Sequence, residues 1–186
     1  MLAPCQGCGT FYPPYDGPTH RYIGASAGCW ALFTWSVTTG DFGATELLSR
    51  SRIPETPVEI PGCNDSLLDS LLGDAYGVQH HGDESPQAIQ SVAVHLLNLY
   101  GIIAGRTTRP GWPIGRALRT RGVFQKLGSP PLGRALTIRH LFPGGGVVIP
   151  VTRTQYVLSV YAAWMSLHGS TVERWYDRFV VPDEVR

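Results

Sequence analysis

The stretch from Asn64 to Ala104, NDSLLDSLLGDAYGVQHHGDESPQAIQSVAVHLLNLYGIIA, reads as two helices and the turn between them. Asn64 offers a side-chain acceptor where a helix begins, and Leu67, Leu68, Leu71, Leu72, Ala75 and Tyr76 recur at the i, i+3, i+4 spacing of one buried stripe. Gly82 stands where that helix should stop. Ser85-Pro86 then supplies a cap followed by proline at the first helical position, opening the longest apolar helix of the chain. With so short a turn between them, the two segments predict an antiparallel hairpin.

Working outward, Arg50 to Gly62 holds Pro54, Pro57 and Pro61 and reads as a linker across the surface. Before it, CWALFTWSV predicts a largely buried helix capped by Ser26 and ending near Gly40. The first residues, through Pro18, carry Cys5, Gly7, Cys8, Gly9, Pro13 and Pro14 and read as a loop or knuckle. After the hairpin comes a Gly, Pro and Arg-rich stretch from Gly105 to Gly133, with one short helix expected around Ile114 to Lys126. Gly144-Gly145-Gly146 reads as a loop. Thr152 then caps a helix through Tyr156, Val160, Trp164 and Leu167, and Val172, Trp175, Tyr176 and Phe179 continue in a last short one.

The sum is an all-α fold, a compact bundle of about five or six helices. At 186 residues, 43% hydrophobic and 16% charged, the chain suits one domain over 1–186, with an irregular 1–25 and a helical body over 26–186. Fifteen Lys+Arg against 14 Asp+Glu give a net charge of +1, which points away from nucleic acid and anionic membranes and towards small molecules or proteins. No window approaches the roughly 20 apolar residues of a membrane span, and the opening residues lack the pattern of a signal peptide. The cytoplasm is therefore the expected location, where Cys5, Cys8, Cys29 and Cys63 are thiols or metal ligands before they are disulfides.

Cys5-Gln6-Gly7-Cys8-Gly9 is a knuckle pattern in which two thiolates can face one ion. Tetrahedral zinc needs two more ligands, and His20 and Cys29 are the nearest downstream candidates, giving a Cys3His set. A redox dithiol and two ordinary loop thiols are the competing readings. Cys63, in the proline-rich linker, is the weaker ligand candidate.

A second polar group lies on the hairpin: Asp74, Gln79, His80 and His95, with Ser91 one turn before His95. A carboxylate can orient a histidine for proton transfer, so these four residues are the candidate catalytic set. The competing reading is structural: His80 and His81 would answer the dipole at a helix C-terminus, and His95 would be a hydrogen-bonded core residue. His20 to Ser26 ends at a helix N-terminus but lacks the spacing of a phosphate loop, and neither Ser26 nor Ser91 sits in a GxSxG elbow. Trp30, Trp35, Trp164 and Trp175 read as core.

Three segments together resemble a known family: CxxCG at Cys5 to Gly9, HxYxGASxGCW from His20 to Trp30, and DxYxVQHxGxxSPQAIQSVAVHL from Asp74 to Leu96. The chain is similar there to an uncharacterised bacterial family, domain of unknown function 5946. The likeness covers roughly the first half of the chain, and the second half only through a loose pattern of tryptophans and helices. It departs at Ala27 and His81, where proline is usual. The resemblance supplies a pattern of residues and no reaction. Taken together, these residues point to a zinc-containing enzyme of lyase, hydrolase or cyclase type acting on a small molecule of specialised metabolism. The alternative is a non-catalytic, zinc-stabilised binding or regulatory module.

Overall fold

In the computed structural model, residues 2–39, 59–81, 84–107, 114, 124–128, 135–142 and 151–181 are described. Asn64 is extended and its Oδ1 accepts from the Leu67 amide, which opens α2 (Asp65–Gln79). Ser85 does the same for α3 (Pro86–Ile103), with Pro86 in the first turn. Thr152 and Gln155 form a reciprocal capping box that opens α4 (Arg153–Phe179). These starts lie where the sequence put them because each depends on a single side chain and its own next turn.

The helices α2, α3 and α4 pack pairwise against one another. Their shared interior contains Leu71, Leu72, Tyr76, Leu96, Leu97, Leu99, Tyr156, Val160, Trp164 and Tyr176. Burying each such side chain contributes about 1.5–3 kcal/mol, which is why the stripe outweighs the polar residues set into it. The remaining elements are α1 (Ala27–Thr39), a 3₁₀ turn over Ile138–Leu141, and an antiparallel pair, β1 (Ala3–Pro4) with β2 (Phe11–Tyr12).

Among the described residues there are four α-helices, not five or six. The two final helices expected from sequence are one, because α4 runs on through Gly169. A helical glycine costs about 1 kcal/mol, less than the burial of Val172, Tyr176 and Phe179 beyond it returns. The helix expected around Ile114 to Lys126, the glycine run at 144–146 and most of the proline-rich linker lie outside the described residues. The first segment is a knuckle with a small β pair in it. Two apolar assignments fail: Trp35 is 43% exposed and Leu167 is 47% exposed, whereas Trp164 is fully buried and Trp30 and Trp175 pack at the edge of the core.

No helix among the described residues is long and apolar enough to cross a membrane. The N-terminal segment docks on the end of α2. Gly24 N–H donates to the His80 carbonyl at 2.6 Å, and Ile23 pairs with His81 as an isolated antiparallel bridge. Thr10 donates to Thr137 at 3.1 Å, fastening the same segment to the residues before the 3₁₀ turn.

Candidate metal centre

The knuckle closes on itself through two bonds, Cys5 N–H to the Thr10 carbonyl and Gly9 N–H to the Cys5 carbonyl, both 2.8 Å. This turns the Cys5 and Cys8 sulfurs to the same side. Ser26 caps α1, accepting from Cys29 N–H at 3.4 Å, and so fixes Cys29 in the first turn of that helix. His80 arrives from the other direction, as the residue that ends α2.

The ligand atoms of Cys5, Cys8, Cys29 and His80 all lie within 4.8 Å of one another, and all four residues are buried. Cys29 Sγ stands 3.2 Å from His80 Nε2 and 4.0 Å from Cys8 Sγ. The edge of a tetrahedron around an ion with Zn–S bonds near 2.3 Å is about 3.8 Å, so the set can close on a metal ion with small adjustments. Histidine supplies one borderline nitrogen and the cysteines three soft sulfurs. None of the four cysteines is in a disulfide.

The surroundings prepare each ligand. His80 Nδ1–H donates to the Tyr76 carbonyl at 2.9 Å, which leaves Nε2, the nitrogen facing the sulfurs, with its lone pair. Ser26 N–H donates to Cys5 Sγ at 3.3 Å and the Tyr76 hydroxyl to Cys29 Sγ at 3.5 Å. Phe33, Tyr76 and His80 stack in succession, with ring centroids 3.9 and 4.0 Å apart, and cover one side of the site. The Tyr12 phenol oxygen is also buried and has no hydrogen-bond partner among the described residues. Burial and then the Cys29 sulfur push both the Tyr12 and the Tyr76 phenol up, so both remain protonated.

Without an ion the four groups share protons unevenly. Hydrogen bonds from the Cys29 and Cys8 thiols hold Cys5 well below the ordinary thiol range, while the same contacts and burial push Cys29 up. Burial opposes charge on His80, but the Cys5 and Cys8 sulfurs outweigh it and push the imidazole up to about 9. A thiolate beside an imidazolium is what a buried metal site becomes when protons take the place of the cation.

The three cysteines expected as ligands lie together, and the histidine beside them is His80, not His20. His20 is exposed, with its Nδ1 accepting from Tyr22 N–H at 3.2 Å and its ring 5.2 Å from that of Trp30, outside the four-residue group. Cys63 is likewise outside it. The Ile23–His81 bridge that delivers His80 joins residues far apart in sequence, so ligand spacing alone could not disclose it. Gly7 is the local sign of the approach: a Cβ there would stand 2.5 Å from His80 Cδ2 and 2.7 Å from its Cα.

The other polar residues of the hairpin separate into two groups. Gln79 is held at both ends, its Nε2–H donating to the Leu136 carbonyl at 2.6 Å and its Oε1 accepting from Tyr156 at 3.0 Å, which makes it a core bridge between α2, α4 and the segment before the 3₁₀ turn. Asp74 and His95 do meet, with His95 Nδ1–H donating to Asp74 Oδ1 at 2.6 Å and Asn98 Nδ2–H bonded to Asp74 Oδ2. Asn98, missed in the sequence, lies one turn beyond His95 on the same face of α3. The His95 side chain is 30% exposed and that of Asp74 10%. Gly77 makes room for it: a Cβ there would meet the imidazole at 2.8 Å. Thus His80 looks towards the cysteines and Asp74 towards α3, and the four candidates do not form one pocket.

Compared with protein-family models, curated proteins and solved structures, the chain gives no match.

Proposed function

We propose that this chain is a zinc-stapled helical protein that acts on a small molecule, with the metal serving the fold and the acid–base chemistry resting on Asp74 and His95. The single observation behind the first half is the closed ligand set, three cysteines and one histidine buried together with their ligand atoms within 4.8 Å. Four protein ligands leave no position for water or substrate, which is the mark of a structural zinc site and not of a catalytic one. Grouping the chain with the uncharacterised bacterial family rests on the three motif segments of its sequence alone, and a reducing cytoplasm would suit three uncombined thiols.

Zinc bound here would supply a rigid cross-link and, from the chain's own side, Cys5, Cys8 and Cys29 would give sulfur and His80 Nε2 nitrogen. Purified protein should carry about one zinc per chain, and Cys5→Ser with Cys8→Ser should remove it. Cobalt in its place should show the thiolate charge-transfer and tetrahedral bands of a site with three sulfurs and one nitrogen. A wild-type protein that folds fully and stays metal-free in the presence of zinc overturns this reading.

The acid–base half rests on the Asp74–His95 geometry. Asp74, held by Asn98, fixes the His95 ring with Nδ1 as donor, so Nε2 is the nitrogen left to take or give a substrate proton. The closed metal site equally suits a non-catalytic module. His95→Gln separates the two: turnover lost with folding and zinc content intact supports the enzyme, and function retained supports the module.

A further inference from the structure

The two residues of β2 face opposite ways: Phe11 is 60% exposed and Tyr12 only 5%. Tyr12 packs beside the first turn of α1, where a Cβ on Gly28, the residue before Cys29, would stand 3.2 Å from Tyr12 Cβ. Its hydroxyl is buried and makes no hydrogen bond among the described residues. An unbonded buried hydroxyl costs the whole of its desolvation, so phenylalanine would suit this place better unless the hydroxyl has an acceptor to meet. The sulfurs of Cys29, Cys8 and Cys5 are the charged groups that act on it, Cys29 first.

Three thiolates and a neutral imidazole around a divalent ion leave one net negative charge, and the residues that would carry it are buried. Neutral donors can answer that charge. Ser26 N–H reaches Cys5 Sγ at 3.3 Å, and the Tyr76 hydroxyl reaches Cys29 Sγ at 3.5 Å. A thiol is a weak acceptor, whereas a metal-bound sulfur is a thiolate, and hydrogen bonds to an ionised acceptor are about twice as strong as neutral ones. Coordination therefore creates, at Cys29, an acceptor of the kind that the Tyr12 hydroxyl lacks.

We propose that Tyr12 is a positioning residue of the metal centre, its hydroxyl donating to the Cys29 thiolate once the ion is bound. The inference rests on the zinc reading and deepens it. Tyr12→Phe keeps the ring against Gly28 and removes only the donor. Full-length Tyr12→Phe should bind zinc about ten-fold more weakly in competition with a chromophoric chelator, while Tyr15→Phe, an exposed tyrosine of the same segment, should equal wild type. In the cobalt-loaded protein the sulfur-to-cobalt charge-transfer band should move to longer wavelength in Tyr12→Phe, because a thiolate that loses a donor gives up its electrons more readily. In wild type loaded with an NMR-active cadmium isotope, the Tyr12 hydroxyl proton should couple to the metal through Cys29 Sγ, which decides the matter should Tyr12→Phe fail to fold. Wild-type zinc affinity in Tyr12→Phe, an affinity loss with the band unmoved, or no coupling overturns the proposal. A wild type that binds no metal ends the zinc reading and this one together; a wild type that binds it, with Tyr12→Phe unchanged, ends this one alone.

Discussion

Replacing Gly7 by alanine is the most direct probe of how the metal centre is assembled. A Cβ at this position would lie 2.5, 2.7 and 2.9 Å from His80 Cδ2, Cα and Cγ, against ordinary carbon contacts near 3.5–4.0 Å. About 1 Å must be recovered, and His80 has nowhere to go. Its Nδ1 is bonded to the Tyr76 carbonyl at 2.9 Å, its own carbonyl accepts from Gly24 at 2.6 Å, and its Nε2 sits 3.2 Å from Cys29 Sγ. Overpacking of this kind costs about 1–3 kcal/mol, and a comparable disturbance around a metal ligand lowers affinity about 10–100-fold. For a chain of this size that is a fall in Tm of roughly 3–10 °C. Zinc affinity is read by competition with a chromophoric chelator, and stability by thermal unfolding with and without chelator. Gly73→Ala is the control, since nothing lies within 4 Å of a Cβ there; in mid-helix it should stabilise α2 by about 0.5–1 kcal/mol. Wild-type zinc affinity and Tm in Gly7→Ala would refute the placement of His80 against the knuckle.

His80→Ala should abolish tight zinc binding while His20→Ala leaves it unchanged, measured by the same competition; the opposite result would restore His20 as the fourth ligand. In the metal-free protein His80 is pushed up to about 9, above its ordinary 6.5, so its contribution to stability is complete below about 6.5 and lost as pH rises through 9. Zinc must displace that proton, so this group alone should raise apparent zinc affinity about ten-fold from pH 7 to 8 and about five-fold from pH 8 to 9, as isothermal titration in several buffers would show. Gln79→Leu leaves the Leu136 carbonyl and the buried Tyr156 hydroxyl without their partner and should cost about 2–3 kcal/mol in urea unfolding; no loss would mean Gln79 is not a core bridge. Asn98→Ala, which uncovers one oxygen of the buried Asp74, should cost about 1–3 kcal/mol in the same assay.

The hairpin was legible because its instructions are local. Asn64, Ser85 and Thr152 each act on an amide three residues away, and the leucine stripe of α2 needs only a helical period to be seen. Cys5, Cys8 and Cys29 were legible as ligands for the same reason, the first two by spacing and the third by its place at a helix start. The histidine that joins them was not, because nearness along the chain favoured His20, whereas His80 is brought in by the Gly24 and Ile23 contacts to the end of α2. The division of the polar hairpin residues was hidden for a related reason. Asp74 and His80 lie six positions apart on α2, which turns them to different sides of the helix, and only the packing of α3 on one side and the knuckle on the other shows what each side meets. Gln79 beside them looked catalytic because its partners, Leu136 and Tyr156, come from remote parts of the chain.

The separation of Cys29 from His80 by 51 positions also bears on how the protein is made. The ribosome delivers all three sulfurs well before the nitrogen, so the nascent chain holds an incomplete thiol site while α2 is still being synthesised. An ion captured early would be passed from solvent to imidazole only when α2 has formed and His80, its C-cap, lies against Gly7. An ion held there would thus join the N-terminal segment to the end of α2 only after that helix has been made.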